Sequence, residues 1–519
     1  MRTRQEVNTQ ITSTSSFDLV VIGGGASGIG AAVEATLRGY KTLLLEKHDF
    51  TKGTSSRSTK LIHGGVRYLA QGDLKMVREA LKERGYLARN APHLVHDQPF
   101  IIPNYRWWEG IFYTIGLTFY DLLAGKLSLG RSKHLKRDTV LKLLPGIDPH
   151  KLRGGVLYHD GQFDDSRLSM DLLHVLFDHG GLALNYAEVT GLQKSGDKLS
   201  GVTFRDHVGG SQHAVAAGAV INATGVWVDD ILEMDNPGHR KTIRPSQGIH
   251  LVLDRAFLPG DHALMIPKTS DGRVLFAVPW HDHLVVGTTD TPIDASSEEP
   301  EALEEEVAFI LDTASQYLEK KVERSDVLSV FAGLRPLAAP RDEEAKTREI
   351  SRNHKIIVSD SKLITVIGGK WTTYRKMAQD MIDRAVAEGL LGPSKSSTKT
   401  FPISQKGHAE QKAFGLYGDY SAALVEMVEK KPELSGRIHA DLPYTWAEVE
   451  WVCRNEMVVH LEDVLARRLR ALVLNARASD EVAGEVAERM AGILDWDPDR
   501  ITLEVKAFKD TAGKYVLQV

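Results

Sequence analysis

The sequence predicts an α/β fold: a Rossmann-type domain interleaved with a second domain on a mixed or antiparallel β-sheet, followed by an all-helical C-terminal domain. Three observations support this prediction: a βαβ pattern near the N-terminus, closely spaced strand patterns over residues 243–290, and a helical pattern after a polar stretch. We expect a disordered tail at 1–16, interleaved domains at 17–390 with second-domain parts at about 95–160 and 240–330, a linker at 391–402 and a helical domain at 403–519.

The βαβ pattern covers residues 18–47, DLVVIGGGASGIGAAVEATLRGYKTLLLEK. The apolar run LVVI is typical of a buried parallel strand, and the spacing Gly23-x-Gly25-x-x-Gly28 follows it directly. These glycines allow a tight turn, close approach of the backbone to a pyrophosphate, and close packing of a helix on a strand. The helix N-terminus would hold the phosphates and Glu46 the ribose hydroxyls. The unit therefore predicts a dinucleotide site.

The segment 54–70, TSSRSTKLIHGGVRYLA, stands where a nicotinamide enzyme would have another regular βα unit. Its hydroxyl side chains and glycine pair would let the backbone approach a large ligand along its length. This pattern favours a flavin dinucleotide over a nicotinamide one. An ordinary polar loop is the alternative.

Strand patterns after the first unit are dispersed rather than alternating regularly with helices. Those of residues 243–290 look antiparallel because short turn signals such as SDGR and HDH separate them. Residues 390–402, LLGPSKSSTKTFP, have the composition of a linker. Beyond it, apolar residues at spacings of three or four form one helical stripe: Leu461, Leu465, Leu469 and Leu472.

Composition excludes several classes of function. The 519 residues carry a formal charge of −5, so no basic excess indicates nucleic-acid binding. A single cysteine, Cys453, excludes an internal disulfide. The first 16 residues lack an apolar signal core, and no segment reaches the ~18 uninterrupted apolar residues of a membrane span. The pair His281-x-His283 lacks a third ligand, so no metal is expected.

Six motifs together resemble one family: GGGASGIGAA, TSSRSTKLIHGGVRYL, NATGVWVDD, GTTDTP, GLRPL and GGKWTTYRKMA. They resemble the FAD-dependent glycerol-3-phosphate dehydrogenases of aerobic glycerol metabolism, within the glycine-oxidase-like flavoprotein superfamily. The resemblance covers residues 17–385, and EDVLARRLRAL resembles the family's C-terminal helical domain. It implies that the first domain binds FAD and that the second binds substrate.

The resemblance also implies a reaction. The chain would oxidise sn-glycerol 3-phosphate to dihydroxyacetone phosphate by hydride transfer to FAD, and would pass electrons to a membrane quinone. No Cys or His has an evident place at a flavin methyl group, so the FAD is expected to be non-covalent. A soluble oxidase that releases hydrogen peroxide is one alternative, and a non-catalytic or RNA-directed flavoprotein is a second.

Alcohol oxidation by a flavin needs a base for the hydroxyl proton and a charge that stabilises the developing negative charge. His250 is the candidate base because histidine works near neutral pH without a large pKa shift. Arg335, in GLRPL, is the candidate charge beside the flavin ring. Gln247 stands where many family members carry lysine, which leaves the tuning of the base open.

The resemblance assigns further residues to the substrate and the cofactor. The substrate would be bound by Arg67, Tyr68, Thr289, Arg352 and Lys370, with Arg352 at its phosphate end. The cofactor would be bound by Ile22, Gly23, Gly25, Ala26, Ser27, Gly28, Glu46, Lys47, Thr54, Ser55, Ser56, Thr59, Lys60, Leu61, Ile62, His63, Gly64, Gly65, Val189, Ala223, Thr224, Gly225, Trp227, Gly333, Arg335, Gly369, Lys370, Trp371 and Thr372.

Residues 106–137 combine an aromatic stretch with a basic one. The aromatic residues are Trp107, Trp108, Phe112, Tyr113, Phe119 and Tyr120, and the basic ones are Lys126, Arg131, Lys133, Lys136 and Arg137. Such a pattern suits either a surface on an anionic bilayer or a buried helix with a solvated loop. With the resemblance, it favours peripheral association with the cytoplasmic membrane. The oligomeric state stays open, with a homodimer as one alternative.

Overall fold

The computed structural model describes residues 1, 3–66, 69, 72–269, 272–339, 354–405 and 413–518. Its first sheet has the strand order β17-β18-β10-β1-β2-β7, with β9 pairing β10 and β8 pairing β9. The strands are β1 Ser16–Ile22, β2 Thr42–Leu45, β7 Leu182–Leu184, β8 Ala187–Ser195, β9 Lys198–Asp206, β10 Gln212–Asn222, β17 Lys355–Val358 and β18 Ile364–Ile367.

The centre of this sheet is parallel, with β1 between β10 and β2. Buried apolar runs such as LVVI in β1 pack against helices, as parallel strands covered on both faces require. The helices next to this sheet are α2 Ala26–Leu37, α6 Asp165–Asp178, α7 Val228–Asp235 and α9 Tyr374–Ala387. The predicted Rossmann-type domain is confirmed.

The second sheet has the order β15-β11-β14-β13-β12-β4-β6-β3, with β16 pairing β11 and β5 pairing β6. Its pairs are antiparallel except for β12 with β4. The strands are β3 Leu61–Ile62, β4 His96–Asn104, β5 Lys133–Lys136, β6 Gly154–Gln162, β11 Ile243–Asp254, β12 Ala263–Ile266, β13 Leu275–Trp280, β14 His283–Gly287, β15 Thr291–Pro292 and β16 Val327–Ala338. The predicted mixed sheet is confirmed.

Helices flank the second sheet: α3 Leu74–Asn90, α4 Glu109–Ala124, α5 Arg137–Leu143 and α8 Glu304–Tyr317. The chain alternates between the sheets, since it builds β1 and β2, then β3 to β6, then β7 to β10, then β11 to β16, and returns for β17 and β18. Among the described strands the chain thus crosses from one sheet to the other four times. Residues of both sheets line one cavity, where a ligand can contact both domains.

The C-terminal region is helical, as predicted. It contains α10 Ser421–Lys430, α11 Trp446–Asn455, a π-helical turn Asp463–Arg468, α12 Ala471–Leu474, α13 Ala476–Glu481, α14 Ala483–Leu494 and α15 Pro498–Gly513. The predicted leucine stripe is fully buried and packs with Val252, Trp280 and Phe331 of the second sheet. These helices thus share one core with the second sheet.

The expectation of a disordered tail at 1–16 is wrong. Residues Arg4–Ser13 form α1, whose Thr3 and Glu6 make a capping box. Val7 and Ile11, one turn apart, are buried in the core of the first domain. Arg4 forms an ion pair with Asp206. Two apolar residues in a polar sequence are too weak a periodic signal to predict a helix that tertiary contacts stabilise.

Candidate functional site

A cavity of about 530 Å³ lies between the two sheets. One end is the glycine turn after β1. Gly23 has φ +106°, and a Cβ there would lie 2.7 Å from the carbonyl oxygen of Ala223, while a Cβ on Gly28 would lie 1.8 Å from the carbonyl oxygen of Gly23. Only glycine fits either position. The turn therefore holds the N-terminus of α2 against the cavity, as phosphate binding requires.

Glu46 follows β2 and lines this end of the cavity. Its carboxylate accepts hydrogen bonds from the backbone N–H groups of Gly24, at 2.5 Å, and His48, at 2.9 Å. Burial raises the pKa of this carboxyl, and the two backbone donors act in the opposite direction. Glu46 thus fixes the glycine turn as well as facing the cavity.

The hydroxyl-rich segment crosses from the first sheet to the second. Ser55 Oγ accepts a hydrogen bond from Ala26 N at 2.9 Å, Thr54 Oγ1 donates to the carbonyl of Leu334 at 2.5 Å, and Thr59 Oγ1 lies 2.9 Å from His250 Nε2. Each hydroxyl therefore joins this segment to a different wall of the cavity.

Most predicted cofactor residues line the cavity: Ile22, Gly23, Gly25, Ala26, Ser27, Glu46, Lys47, Thr54, Ser55, Thr59, Leu61, His63, Gly65, Val189, Ala223, Thr224, Gly225, Trp227, Gly333, Arg335, Gly369, Lys370, Trp371 and Thr372. Residues distant in sequence are joined there. Trp371 Nε1 donates to the carbonyl of Ser55 at 2.8 Å, and Thr372 Oγ1 accepts from His63 N at 3.2 Å.

Five predicted cofactor residues do not line the cavity: Gly28, Ser56, Lys60, Ile62 and Gly64. Gly28 packs on the turn, and Ile62 is in the apolar core. Gly64 N donates to the phenol oxygen of Tyr120 at 2.8 Å. From Thr59 to Gly65 every second residue faces away from the cavity, an alternation that the prediction did not apply, whereas Ser56 lies in the 3₁₀ turn Thr54–Ser56.

Lys60 is one of the residues whose side chain points away from the cavity. Its Nζ lies 2.7 Å from Asp165 Oδ2 and donates to the carbonyl of Ser56 at 2.7 Å. Burial lowers the pKa of Lys60 to about 8, opposed by Asp165 and assisted by the nearby Arg470. Lys60 is therefore part of a buried charge network behind the cavity wall.

The helical domain contributes to that network through an arginine run that the sequence prediction missed. Arg468 donates to both carboxylate oxygens of Asp49, at 2.7 and 2.9 Å, and Arg470 donates to Ser166 Oγ at 2.8 Å and to the carbonyl of Ser56. Both arginines are buried. The run EDVLARRLRAL carried the signal, since adjacent arginines in an apolar stripe need buried partners. Asp49 and Ser56 lie in the loop that lines the cavity.

His250 lies on β11, facing the middle of the cavity. It is 2 % exposed and its ring stacks on Phe331, with centroids 4.8 Å apart. Its Nδ1 has no hydrogen-bond partner among the described residues. Burial, with the charges of Lys60 and Arg335, holds the pKa of His250 well below its ordinary value of 6.5. The ordinary pKa of a histidine, for which His250 was chosen as the candidate base, therefore does not apply to this buried ring.

Arg335 lies on β16 opposite Ser246 of β11, and its charge acts on His250 further along β11. Its guanidinium donates to the carbonyls of Gln247, at 3.1 Å, and Thr289, at 3.0 Å, and to Thr288 Oγ1 at 3.1 Å. A Cβ at Gly248 would lie 2.2 Å from this guanidinium. Glycine at 248 therefore makes room for the arginine against the cavity.

Gln247 and Thr289 both turn toward α8. Gln247 Nε2 donates to Glu306 Oε2 at 2.8 Å, and Thr289 Oγ1 donates to Glu306 Oε1 at 2.7 Å while accepting from Ile249 N at 3.0 Å. The Gln247 side chain does not line the cavity, so it does not tune His250 directly. The Thr289 hydroxyl is already committed to protein groups.

Lys370 lines the cavity, and its Nζ lies 3.9 Å from Met76 Sδ of α3. Arg67, Tyr68 and Arg352 lie outside the described residues.

The second sheet adds lining residues that the sequence prediction missed: Phe100, Tyr158, Asp160, Met265, Arg273 and Phe276. Asp160 is buried, accepts from Arg84 at 2.6 Å and from Tyr120 at 2.9 Å, and burial raises its pKa. Tyr158 and Asp160 are two positions apart in β6, so they lie on one face of the strand. The alternation of LYHDGQ was the signal for them.

Helix α4 exposes an apolar face. The exposed residues are Trp107, Trp108, Ile111, Phe112, Ile115, Phe119 and Leu122, with Trp107 at 76 % and Leu122 at 72 %. Tyr120, predicted for this surface, is instead buried against Asp160. The five basic residues that follow, from Lys126 to Arg137, are all exposed. A patch of this kind usually marks an interaction surface.

Within the residues that the structure describes, no helix has both the length and the apolarity needed to cross a bilayer. No group of three potential metal ligands occurs among them either. His281 Nε2 lies 3.3 Å from Asp164, and His283 Nδ1 lies 2.7 Å from the carbonyl of His281.

Comparison with known proteins gives two family matches. Residues 18–375 match the FAD dependent oxidoreductase family, and residues 359–501 match the C-terminal domain of alpha-glycerophosphate oxidase. The chain is 38 % identical to the mitochondrial glycerol-3-phosphate dehydrogenase of Bos taurus, over 98 % of this chain and 74 % of that one. It is also 38 % identical to the human enzyme, over 94 % and 72 % of the two chains.

Solved structures are also similar. The crystal structure of a glycerol-3-phosphate dehydrogenase from Bacillus halodurans complexed with FAD matches with a TM-score of 0.80 and 28 % identity, over 100 % of both chains. The L-alpha-glycerophosphate oxidase of Mycoplasma pneumoniae matches with a TM-score of 0.56 and 17 % identity, over 71 % of this chain and 94 % of that one, which is a similarity of fold alone.

Proposed function

Since this chain belongs to the family of FAD-dependent glycerol-3-phosphate dehydrogenases, we propose that it oxidises sn-glycerol 3-phosphate to dihydroxyacetone phosphate and passes the electrons to a membrane quinone. The observation that carries this proposal is one continuous cavity, which joins the glycine turn to His250 and Arg335. A dinucleotide in that cavity can place its redox-active ring beside a candidate base and a fixed positive charge.

The residues present fit FAD. Gly23, where a Cβ would collide with Ala223, forms a turn open to a pyrophosphate, and Glu46 lies at the ribose position. Val189 would contact the adenine, while Trp371 and Thr372 would contact the flavin ring. FAD would supply the acceptor for a hydride from the substrate carbon. Cys453 lies in the C-terminal core, which supports non-covalent binding.

His250 would take the proton of the substrate hydroxyl. Its low pKa keeps the imidazole neutral at pH 7, so it is ready to accept. The Thr59 hydroxyl fixes Nε2, and the second ring nitrogen has no protein partner among the described residues. Arg335 would stabilise the negative charge that develops on the substrate oxygen, because three protein oxygens already hold its guanidinium in place.

The phosphate of the substrate needs cations at the far end of the cavity. Lys370 lines the cavity on the side of α3. From their motifs we assign Arg352 to the phosphate and Arg67 and Tyr68 to substrate contact; all three lie outside the described residues. Arg273 also lines the cavity and is a further candidate cation.

Anaerobic titration with glycerol 3-phosphate tests the reaction. We expect bleaching of the flavin absorbance, and no stoichiometric peroxide when air is admitted. Bleaching followed by stoichiometric peroxide would identify an oxidase instead. If a fully FAD-loaded protein does not bleach at all, the proposed substrate is wrong.

The exposed face of α4 supports peripheral association with the cytoplasmic membrane. A helix with exposed Trp, Phe, Ile and Leu beside basic residues suits the interface of an anionic bilayer. Replacing Ile111 and Ile115 by glutamate should abolish co-sedimentation with vesicles while flavin content stays normal. Unchanged co-sedimentation of this variant would exclude α4 as the docking face. A homodimer stays an untested alternative for the solution state.

A further inference from the structure

A second groove lies between α3 and α9, outside the cavity described above. Its volume is about 630 Å³. Six of its twelve lining residues are basic, and Leu74 and Leu123 contribute apolar surface: Leu74, Lys75, Arg78, Glu79, Lys82, Glu83, Tyr86, Leu123, Arg375, Lys376, Gln379 and Lys399. The mechanism uses none of these residues.

Four of the cations are exposed and have no ion-pair partner among the described residues: Lys75, Arg78, Lys82 and Lys399. The first three are spaced by three and four residues on α3, so they share one helical face. Of the two carboxylates that line the groove, one is already paired with an arginine. Glu83 forms two hydrogen bonds with Arg375, at 2.6 and 2.7 Å, which leaves Glu79 as the free carboxylate of the lining.

This concentration of positive charge occurs in a chain whose net charge is −5. Like charges at such spacings repel one another and destabilise a helix slightly. An anion in the groove would remove that repulsion. The groove is therefore complementary to a ligand with one or more phosphates.

The apolar residues of the groove indicate which kind of molecule would carry the bound phosphate. Leu74 is 44 % exposed, and Leu123 belongs to α4, where its neighbour Leu122 is part of the exposed apolar face. Helices α3 and α4 pack directly on each other through Val77, Leu81 and Tyr120. The basic groove and the apolar face therefore lie on two helices that pack on each other, so an amphiphile with an anionic head can contact both.

We propose that this groove binds the phosphate of an anionic lipid head group while α4 contacts the acyl region. The proposal rests on the membrane association proposed above and adds a lipid preference to it. Exposed lysines are point charges without a rigid phosphate cradle, so they bind a free phosphate weakly. At a bilayer surface they act together, because anionic lipids attract each basic residue near the interface.

The groove also lies beside the catalytic cavity. Met76, between Lys75 and Val77 in the first turns of α3, contacts Lys370 of the cavity wall. A head group bound along α3 would therefore orient this side of the cavity toward the membrane surface.

Vesicle co-sedimentation of the FAD-loaded protein tests the proposal. Phosphatidylcholine vesicles are compared with vesicles that also contain phosphatidylglycerol, at a fixed ionic strength of about 0.1 M so that screening is constant. We expect wild type to bind the anionic vesicles more tightly. The triple variant Lys75→Gln, Arg78→Gln, Lys82→Gln should lose roughly a hundredfold of that preference, since three interfacial cations are removed. Its binding to phosphatidylcholine should stay unchanged.

A matched variant removes the same charge elsewhere: Lys198→Gln, Arg205→Gln, Lys506→Gln, all exposed and without an ion-pair partner among the described residues. It should keep the preference; an equal loss would mean that net charge alone is responsible and would overturn the proposal. Flavin content and circular dichroism verify that both variants fold.

Other outcomes separate this proposal from the membrane association itself. Equal binding of wild type to both vesicle types contradicts the groove proposal alone, whereas no binding to either contradicts both. Finally, calorimetry measures the binding of inorganic phosphate alone to wild type and to the triple groove variant. Saturable binding that the groove variant loses would assign the groove to a free phosphate and overturn the lipid assignment; no binding supports the lipid.

Discussion

At the scale of single residues, the buried position of His250 sets its protonation. A histidine whose pKa lies well below 6.5 is neutral in the folded protein and becomes protonated in the unfolded chain as the pH falls through 6.5. The unfolded state then binds more protons, so the free energy of unfolding decreases below pH 6.5. The same burial that provides a neutral base therefore makes the protein less stable in acid.

The kinetic prediction follows from this position. Wild type should keep its rate of flavin reduction to pH values below 6.5. His250→Ala should lower that rate by ~10²–10⁴. It should also remove the fall in rate at low pH, the acid limb of the plot of rate against pH. Arg335→Ala should slow reduction and keep an acid limb, because arginine does not titrate there; that limb should move to higher pH, because the charge of Arg335 lowers the pKa of His250. Stopped-flow reduction against pH measures both variants. If His250→Ala retains both its rate and the acid limb, the base lies elsewhere.

Thr59 provides a second residue-scale prediction. Its hydroxyl lies 2.9 Å from His250 Nε2 and fixes the orientation of the ring. Thr59→Val keeps the shape but removes that contact, so we expect flavin reduction to slow about tenfold and the acid limb to shift, with FAD content unchanged. Thr59→Ser should restore both. A serine variant as slow as the valine variant would show that the methyl group, and not the hydroxyl, matters.

At the scale of elements, the arginine run of the helical domain stabilises the loop that lines the cavity. Asp49 is fully buried against Arg467 and Arg468, and their charges hold its pKa well below its ordinary value. This interaction stabilises the protein at neutral pH. It is lost as the pH falls below the unfolded value of about 3.9 toward the folded one. Two domains are thus connected by one charge cluster.

Asp49→Asn tests this connection. The substitution leaves two arginines without their full countercharge in a buried site, so we expect destabilisation of about 3–5 kcal/mol in urea unfolding at pH 7, and weaker retention of FAD. The difference from wild type should persist at pH 5 and shrink only as the pH falls below about 3.9, where the unfolded chain begins to bind the proton of Asp49. Asp510→Asn, on the exposed side of α15, should change neither quantity. Normal FAD retention in a destabilised Asp49→Asn protein would separate the charge cluster from the cofactor loop.

At the scale of the whole molecule, the cavity is formed by both sheets, so cofactor and tertiary structure should be lost together. We expect the yellow protein to release FAD completely on acid or heat denaturation, since the proposed contacts are non-covalent. Flavin absorbance in the supernatant after precipitation measures this. Flavin that stays with the precipitated polypeptide would indicate a covalent bond.

Local patterns predicted those features that depend on local geometry. The glycine spacing with Glu46, the strands of both sheets and the leucine stripe are encoded within short windows, and the structure shows each of them. The course of the segment 54–65 was predicted less well, because alternation sends Thr59 and Lys60 to opposite sides. Contacts between distant residues were not predictable, such as Arg468 with Asp49 or Asp160 with Arg84, since no periodicity specifies the partner.

The alternation of the chain between the two sheets has a consequence for biosynthesis. The carboxyl end of β10 pairs with β1 on one side and with β18 on the other, where Asn222 lies opposite Thr365. At about 5–20 residues per second, translation from Asn222 to Thr365 takes roughly 7–30 s. During that interval the nascent chain exposes an open strand edge that another nascent chain can pair with. We therefore expect the nascent chain to be exposed to wrong strand pairing for longer than a chain whose first domain is contiguous in sequence.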